Sequence, residues 1–199
     1  MDDHHVIKIQ NAYRRHSIRV LKDGFTKNIL ISMIEKYNFL YKEIDELNQN
    51  LKNKKIRQAN YPSEITENIV KFAIKKKYGV VPCWDTNKGD LILGNKHLEV
   101  KGSIDLHAGG PSSFGPKEEW HRIYFVDCKK HQDLWFKVYE IKLSNTSNVW
   151  KKIKVNKKDT YEDQCKQSRR PRITFRELIH QIPIEYVNVI FDNHIDLLD

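Results

Sequence analysis

Apolar residues recur every three or four positions over two stretches of the N-terminal half, and this spacing predicts two amphipathic helices. The first runs from about Thr26 to Ile56, with Asn48 interrupting the repeat. It is either a helix of the core, an arm for dimerisation or packing, or a clamp over a bound nucleic acid. The second runs from Pro62 to Gly79, with a plausible start at Pro62 and Ser63 and a glycine stop at its end. Its predicted buried face consists of Ile65, Ile69, Phe72 and Ala73.

A different pattern follows, in which short alternating runs on both sides of Gly94-Asn95 predict a β-hairpin within Lys88–Ser103. Side chains of a strand alternate between its two faces, so Asp90, Glu99 and Lys101 share one face. The core face then holds Leu91, Leu93, Leu98 and Val100. A turn of two residues would pair Asp90 with Glu99, and a turn of four would pair it with Lys101. The shared face is the same in either register.

Residues 121–128 and 133–143, rich in aromatic and β-branched side chains, predict two more strands. The order of elements therefore indicates an α/β or mixed α+β fold. In this fold a small mixed sheet is flanked by helices and preceded by an N-terminal helical region.

The composition predicts the kind of partner and the cellular compartment. The 199 residues include 35 Lys and Arg against 26 Asp and Glu, which gives a net charge of +9. This charge favours a polyanionic partner, and nucleic acid first. The alternative is that the lysines only solvate the surface. Cys83, Cys128 and Cys165 lie far apart, which suggests a reduced intracellular protein without a disulfide framework or zinc cluster. His4-His5 is too short for a metal tract. The sequence has no membrane-length apolar run and no signal-peptide core, so we expect a cytoplasmic protein that has no membrane partner.

The shared face of the hairpin carries the candidate chemistry. Two carboxylates crowded on one face repel each other, and a bound cation turns this repulsion into coordination. Oxygen ligands from one or two carboxylates suit Mg²⁺, and Lys101 beside the ion could orient or deprotonate a water. Alternatively, Asp90 and Lys101 form a cross-strand ion pair while Glu99 is solvated. The acid-x-Lys pattern alone is not specific, since Asp127-Cys128-Lys129 and Glu140-Ile141-Lys142 match it too.

Two further segments are candidates for contact with DNA. Residues 102–120 form a Gly/Ser/Pro-rich segment directly after the hairpin, either a functional loop or a structural Ω-loop. A basic segment near the C-terminus offers guanidinium donors for guanine or phosphate, unless it is only solvated. The candidate DNA-binding residues are Ser103, Ser112, Ser113, Lys117, His121, Arg169, Arg170 and Arg172.

The hairpin resembles the motif of the PD-(D/E)xK nuclease superfamily, and specifically of type II restriction endonucleases. In that motif an aspartate begins a strand and Glu-x-Lys lies on its antiparallel neighbour, places that Asp90, Glu99 and Lys101 match. Position 89 is glycine rather than the proline of the motif. The resemblance covers roughly residues 61–180 and implies an accessory acid on the preceding helix. Glu67 matches this acid, with Glu64 as the second choice.

A helical ion pair of Glu67 with Lys71 is the structural alternative for that acid. The resemblance implies that the catalytic residues are Asp90, Glu99, Lys101 and Glu67. The implied ligands of Mg²⁺ are Asp90, Glu99, Val100 and Glu67.

The resemblance further implies a Mg²⁺-dependent, sequence-specific endonuclease that leaves 5′-phosphate and 3′-hydroxyl ends on double-stranded DNA. A homodimer on a palindromic site and a companion DNA methyltransferase belong to this expectation. We expect one nuclease domain over residues 1–199, with a helical region (1–60), a catalytic core (61–142) and a DNA-contacting part (143–199). Two other functions stay open, a repair or junction-resolving nuclease of the same fold and a non-catalytic basic nucleic-acid-binding module.

Overall fold

The computed structural model describes residues 26–51, 56–58, 60–85 and 89–198 of the chain. Expectations that fall on residues 1–25, including His4-His5 and the beginning of the helical region, lie outside these ranges. Residues 52–55 and Lys88, where the predicted hairpin segment begins, lie outside them as well.

A six-stranded mixed sheet forms the centre of the fold. Its strands are β1 (Cys83–Trp84), β2 (Leu91–Leu93), β3 (Lys96–Ser103), β5 (Arg122–Lys130), β6 (Trp135–Ile141) and β8 (Val187–His194). They lie in the order β1-β2-β3-β5-β6-β8, with β3 and β5 parallel and every other pair antiparallel. A separate two-stranded sheet pairs β4 (Ser112–Ser113) with β7 (Arg172–Ile173).

The first long helix, α1 (Lys27–Asn50), is shorter than the pattern predicts. It begins after Thr26, whose hydroxyl accepts a hydrogen bond from the backbone N–H of Ile29 at 3.3 Å. The predicted end near Ile56 is wrong. The side chain of Asn48 accepts from the N–H of Ile56 at 2.6 Å and donates to its carbonyl at 2.9 Å, so Ile56 lies beside the helix and not within it.

The second helix, α2 (Ser63–Tyr78), has the predicted bounds. Gly79 ends it with a φ of +71°, a conformation that favours glycine, and donates its N–H to the carbonyl of Lys75 at 2.8 Å. Ile65, Ile69 and Ala73 are buried as the pattern predicts. Three short helices follow in the C-terminal part: α3 (Asn148–Lys151), α4 (Tyr161–Lys166) and α5 (Phe175–Ile179). The sequence analysis predicted neither α3 nor α4.

The sheet separates two hydrophobic clusters. Alternate side chains of β5 enter different clusters, because Tyr124 and Val126 pack with α1 and α2 while Ile123 and Phe125 pack on the other face. The second cluster contains the aromatic residues of the loop after β3 and of the C-terminal helices: Phe114, Trp120, Trp150, Tyr161 and Phe175. Each face of the sheet is therefore covered by a different part of the chain.

This architecture confirms the predicted mixed α+β fold, with a mixed sheet flanked by helices. The sequence analysis missed the edge strand β8. Among the helices of the described residues, none is long and apolar enough to cross a membrane. Cys83, Cys128 and Cys165 are free thiols.

Candidate active site

A tight turn sets the register of the hairpin. Leu91 pairs with Leu98 and Leu93 pairs with Lys96, so the turn has two residues. Gly94 occupies its first position with a φ of +61°, which glycine adopts without strain. Of the two registers left open by the sequence, the structure therefore has the one that sets Asp90 beside Glu99.

The contacts of Gly89 explain why this position does not have the proline of the resembled motif. The N–H of Gly89 donates to Oδ2 of Asp85 at 3.0 Å, a bond that proline has no hydrogen to make. A Cβ atom at this position would also lie 2.9 Å from the carbonyl oxygen of Leu98, closer than such atoms approach. The chain thus needs glycine here to pass close to β3.

Two hydrogen bonds fix Asp90 against β3. Its N–H donates to the carbonyl of Leu98 at 3.0 Å, and its Oδ2 accepts from the N–H of Val100 at 2.7 Å. The second bond uses the main chain between Glu99 and Lys101, so it ties the aspartate to the middle of the Glu-x-Lys triplet. One carboxylate oxygen of Asp90 is thereby oriented by the backbone.

Glu99 and Lys101 lie on the face of β3 opposite Val100, which packs with α2. Glu99 is buried, with 4% of its surface exposed, and its Oε1 accepts an ion-paired hydrogen bond from Nζ of Lys101. A quarter of the lysine side chain, 25%, is exposed. The lysine therefore links the buried acid to solvent.

Burial is the largest cause of unusual pKa values at both acids. It raises the pKa of Glu99 to about 7, opposed by Lys101 and aided by the negative charges of Asp90 and Glu118. Burial likewise raises the pKa of Asp90, opposed by its bond from Val100 and by Lys101. The raised pKa favours the protonated form of Glu99, and a cation that binds there would displace that proton.

The donor set fits a divalent ion with a partly aqueous shell. Within the described ranges, no group of three or more His, Cys, Asp and Glu side chains is arranged to hold a metal. Asp90 and Glu99 supply two carboxylates, which is what Mg²⁺ needs when waters and a substrate phosphate complete its shell. The main-chain carbonyl of Val100 lies between the two acids in sequence and is the third ligand implied by the resemblance.

The helix that carries Glu67 approaches β3 from the other face. Thr66 is buried, and a Cβ atom on Gly102 would collide with its side chain, so the first turns of α2 lie directly against the end of β3. Glu67 follows Thr66 and is half-buried, whereas Glu64 is exposed and accepts from the hydroxyl of Ser63 at 3.3 Å. The accessory role of Glu67 stays a prediction.

The two segments expected to contact DNA meet beside the active site. Ser112 pairs with Ile173 and Ser113 with Arg172, and the N–H of Phe114 donates to the carbonyl of Pro171 at 3.0 Å. Nζ of Lys101 lies 5.7 Å from the centroid of the Phe114 ring. The loop and the basic segment thus form one surface next to Lys101, which no local sequence pattern predicts.

Each of the three arginines has a different neighbour. Arg169 Nη1 lies 3.5 Å from a carboxylate oxygen of Asp159, and Arg170 Nη2 lies 3.8 Å from Oε1 of Glu118. Arg172 pairs with Ser113 through β7, and all three arginines are exposed. Their roles in binding stay predictions.

The remaining candidate DNA-binding residues lie in different local environments. The hydroxyl of Ser103 donates to the carbonyl of Asp105 at 3.1 Å, a local bond within the loop. Lys117 is exposed. His121 is exposed and stacks on His97 with 5.7 Å between ring centroids, and its Nδ1 accepts from the His97 N–H at 3.1 Å.

Sequence reasoning missed two acids near the site. The buried carboxylate of Asp85 receives the bond from Gly89 and contacts Nδ1 of His97, so it supports the chain that leads to Asp90. Glu118 raises the pKa values of both Asp90 and Glu99. Neither acid has a spacing that marks it, because loop contacts bring both of them to the site.

Comparison with known proteins agrees with this geometry. Residues 31–182 match the sequence model of the Bsp6I restriction endonuclease. The chain is also 28% identical over 148 residues to the type II restriction enzyme Bsp6I of Bacillus sp. (strain RFL6), an alignment that covers 71% of this chain and 75% of that protein. No solved structure matches the chain.

These matches define the class of protein: the chain is a type II restriction endonuclease, a site-specific deoxyribonuclease. More narrowly, it belongs to the Bsp6I restriction endonuclease family. The matched range contains the hairpin, the loop and the basic segment but ends before β8. Of the functions left open by the sequence, the restriction enzyme is confirmed over the repair nuclease and the non-catalytic module.

Proposed function

We propose that the chain is a Mg²⁺-dependent endonuclease of the PD-(D/E)xK type that cuts both strands of a specific DNA sequence. The observation that carries the proposal is the single face on which Asp90, Glu99 and Lys101 meet, with the pKa of Glu99 raised to about 7. A crowded pair of carboxylates, one buried and one half-buried, is costly to a protein unless a ligand uses it. Membership of a restriction endonuclease family makes a divalent cation the natural ligand.

Each residue of the trio has a separate task in this proposal. Asp90 and Glu99 hold the ion, with the carbonyl of Val100 and Glu67 as further candidate ligands. The bound ion supplies charge neutralisation at the scissile phosphate and activates a water. Lys101 would orient that water and offset charge on the phosphate. The water gives up one proton as its oxygen bonds to phosphorus, the bond from phosphorus to the 3′ oxygen breaks, and the 3′ oxygen takes up a proton. The products are a 5′-phosphate and a 3′-hydroxyl end.

The joined surface of β4 and β7 supports a role in reading the DNA. It places hydroxyl donors and guanidinium donors together beside Lys101, and base recognition needs such donors next to the phosphate chemistry. We propose Ser112, Ser113 and Arg172 as groove contacts. Ser103, Lys117, His121, Arg169 and Arg170 are then contacts around them.

We also propose a homodimer, because a cut through both strands of a palindromic site needs one active centre for each strand. The second half of α1 exposes apolar side chains that a second copy would cover. Phe39 is 67% exposed, Leu40 47% and Leu47 53%. In sedimentation experiments, the double variant Leu40→Glu/Leu47→Glu should be monomeric if this face is the contact. A dimer that survives both changes would locate the contact elsewhere.

The cellular setting follows from the activity. An enzyme that cuts a specific sequence endangers its own genome, so we propose a companion DNA methyltransferase that protects the same site. The free thiols fit the cytoplasm, where cysteines stay reduced. Residues 1–199 would act as one nuclease domain, since both hydrophobic clusters share the same sheet.

A plasmid digest tests this function. With Mg²⁺ the protein should give discrete bands, and sequencing of the cut ends should return one recognition sequence and 5′-phosphate termini. EDTA should abolish the bands, and Asp90→Ala should abolish them while DNA binding in Ca²⁺ is retained. A smear without preferred sites, or near-normal cutting by Asp90→Ala, would contradict the proposal.

A further inference from the structure

Glu118 is a fixed carboxylate in the loop before β5. Its Oε2 accepts from the N–H of Gly115 at 2.7 Å, and its main-chain carbonyl accepts from the side chain of Asn145 at 2.7 Å. A Cβ atom at position 115 would collide with the Glu118 side chain, so the carboxylate lies directly on the glycine backbone. One oxygen, Oε2, is therefore held by the loop backbone, while Oε1 accepts no backbone bond within the described residues.

Oε1 of Glu118 lies near one arginine of the basic segment. Nη2 of Arg170 lies 3.8 Å from Oε1 of Glu118. Arg169, its neighbour in sequence, lies instead 3.5 Å from Asp159 and 3.3 Å from the side-chain oxygen of Gln167. The β4–β7 pairing fixes this difference, because it holds the basic segment against the loop.

The same carboxylate lies on the side of the catalytic acids. Phe114 precedes Gly115, and its ring lies 5.7 Å from Nζ of Lys101. The negative charge of Glu118 also raises the pKa values of Asp90 and Glu99. Glu118 thus lies beside an exposed arginine, and its charge acts on the two candidate metal ligands.

We propose that Glu118 is a positioning residue that couples capture of DNA to capture of the metal ion. In the free protein Arg170 offsets the charge of Glu118. When a DNA phosphate binds Arg170, Glu118 acts with its full charge on a cation at Asp90 and Glu99, so the ion binds more tightly. This coupling rests on the proposed metal site. It would keep the site weakly loaded until DNA is in place.

Binding of Mn²⁺ to the full chain without DNA, followed by electron paramagnetic resonance, tests the coupling. Arg170→Gln removes the offsetting charge and should tighten Mn²⁺ binding roughly three- to tenfold. Arg169→Gln is the matched control, since its guanidinium faces Asp159, and it should change the affinity less than twofold. Equal effects of the two variants would overturn the coupling.

A second variant closes the cycle. Glu118→Gln should weaken Mn²⁺ binding, and Arg170→Gln should have no further effect in that background. An unchanged affinity in Glu118→Gln at an unchanged melting temperature would overturn the proposal. If Glu118→Gln does not fold, the comparison of Arg170→Gln with Arg169→Gln still decides.

Asp90→Ala separates failure of the coupling from failure of the site. Should the wild-type protein bind no Mn²⁺, or bind it equally well after Asp90→Ala, the proposed metal site and the coupling both fail. When Asp90→Ala abolishes binding but Arg170→Gln behaves like Arg169→Gln, the coupling alone fails.

Discussion

Two Glu-x-Lys triplets lie along β3 and at the end of β6, strands of the same sheet that β5 separates, and they differ in what surrounds the acid. Glu99, in Glu99-Val100-Lys101, shares its surroundings with a second acid, Asp90, and its pKa rises to about 7. Glu140, in Glu140-Ile141-Lys142, is completely buried, with 0% exposed, yet it is well supplied with donors. The hydroxyls of Tyr78 and Tyr124 donate to it at 2.6 and 2.9 Å, and Arg122 donates at 2.9 Å.

The comparison shows that burial alone does not mark a functional acid. The partners of Glu140 satisfy its charge and join the end of α2 to β5 and β6, so it is a structural group. Glu99 has one donor, Lys101, and a like-charged neighbour, Asp90, where Glu140 has three donors. A cation held by Asp90 and Glu99, as proposed above, would offset this unfavourable arrangement.

The largest expected difference between the two triplets is in the cleavage rate of their Glu→Gln variants. Glu99→Gln removes one of the two carboxylates that hold the ion, so the cleavage rate in Mg²⁺ should fall by about a thousandfold or more. Glu140→Gln should keep the rate per folded molecule within about threefold. Single-turnover cleavage of a plasmid, with the folded fraction measured beside it, makes the comparison. A large rate loss in folded Glu140→Gln would break the distinction between the two acids.

The free energy of unfolding should change in opposite directions in the two variants. Glu140→Gln disturbs a buried, fully bonded network and should lower the free energy of unfolding by about 2–4 kcal/mol in urea titrations. Glu99→Gln should raise it by about 1–3 kcal/mol at pH 8.

The sign for Glu99 follows from proton linkage. The folded protein binds this proton with a pKa of about 7, against 4.5 for an ordinary glutamate. Stability is therefore lost as the pH rises between these values, and the full penalty applies above pH 7. The gain in Glu99→Gln should be present at pH 8 and nearly absent at pH 4.5. A destabilised Glu99→Gln at pH 8 would show that its ion pair with Lys101 outweighs the crowding.

Substitution of Glu67 has the smallest expected effect, and it tests whether the site extends beyond the hairpin. If it joins the metal or its waters, Glu67→Gln should lower cleavage tenfold or more, or raise the Mg²⁺ concentration that half-maximal cleavage requires. Glu64→Gln, one turn earlier and exposed, is the matched control and should cleave normally. Unchanged Mg²⁺ dependence in Glu67→Gln would confine the site to the hairpin face.

Local patterns predicted the parts of the site that lie close together in sequence. The alternation in β2 and β3 and the Gly94-Asn95 turn were enough to place Asp90, Glu99 and Lys101 on one face. The 3.6-residue period and Gly79 were enough to place α2. These features are encoded within about ten residues of one another, so one sequence reveals them.

Contacts between distant segments could not be predicted in this way. The pairing of β4 with β7 joins residues 112–113 to residues 172–173, and no periodicity spans that distance. Glu118 enters the site through its loop bonds, and Glu140 becomes structural only because Tyr78 and Arg122 come from other elements. The early end of α1 likewise depends on a bond between Asn48 and Ile56.

The proton affinity of Glu99 tests the central claim most directly. Side-chain carboxyl resonances of protein labelled with ¹³C-glutamate report each glutamate titration, and Glu99→Gln identifies the resonance of Glu99 by its loss. We expect that resonance to titrate near pH 7 without metal and to move to lower pH as Mg²⁺ is added, because the ion and the proton compete for the same carboxylate. A titration near pH 4.5, or a midpoint that Mg²⁺ does not move, would contradict the account of the hairpin as a metal site.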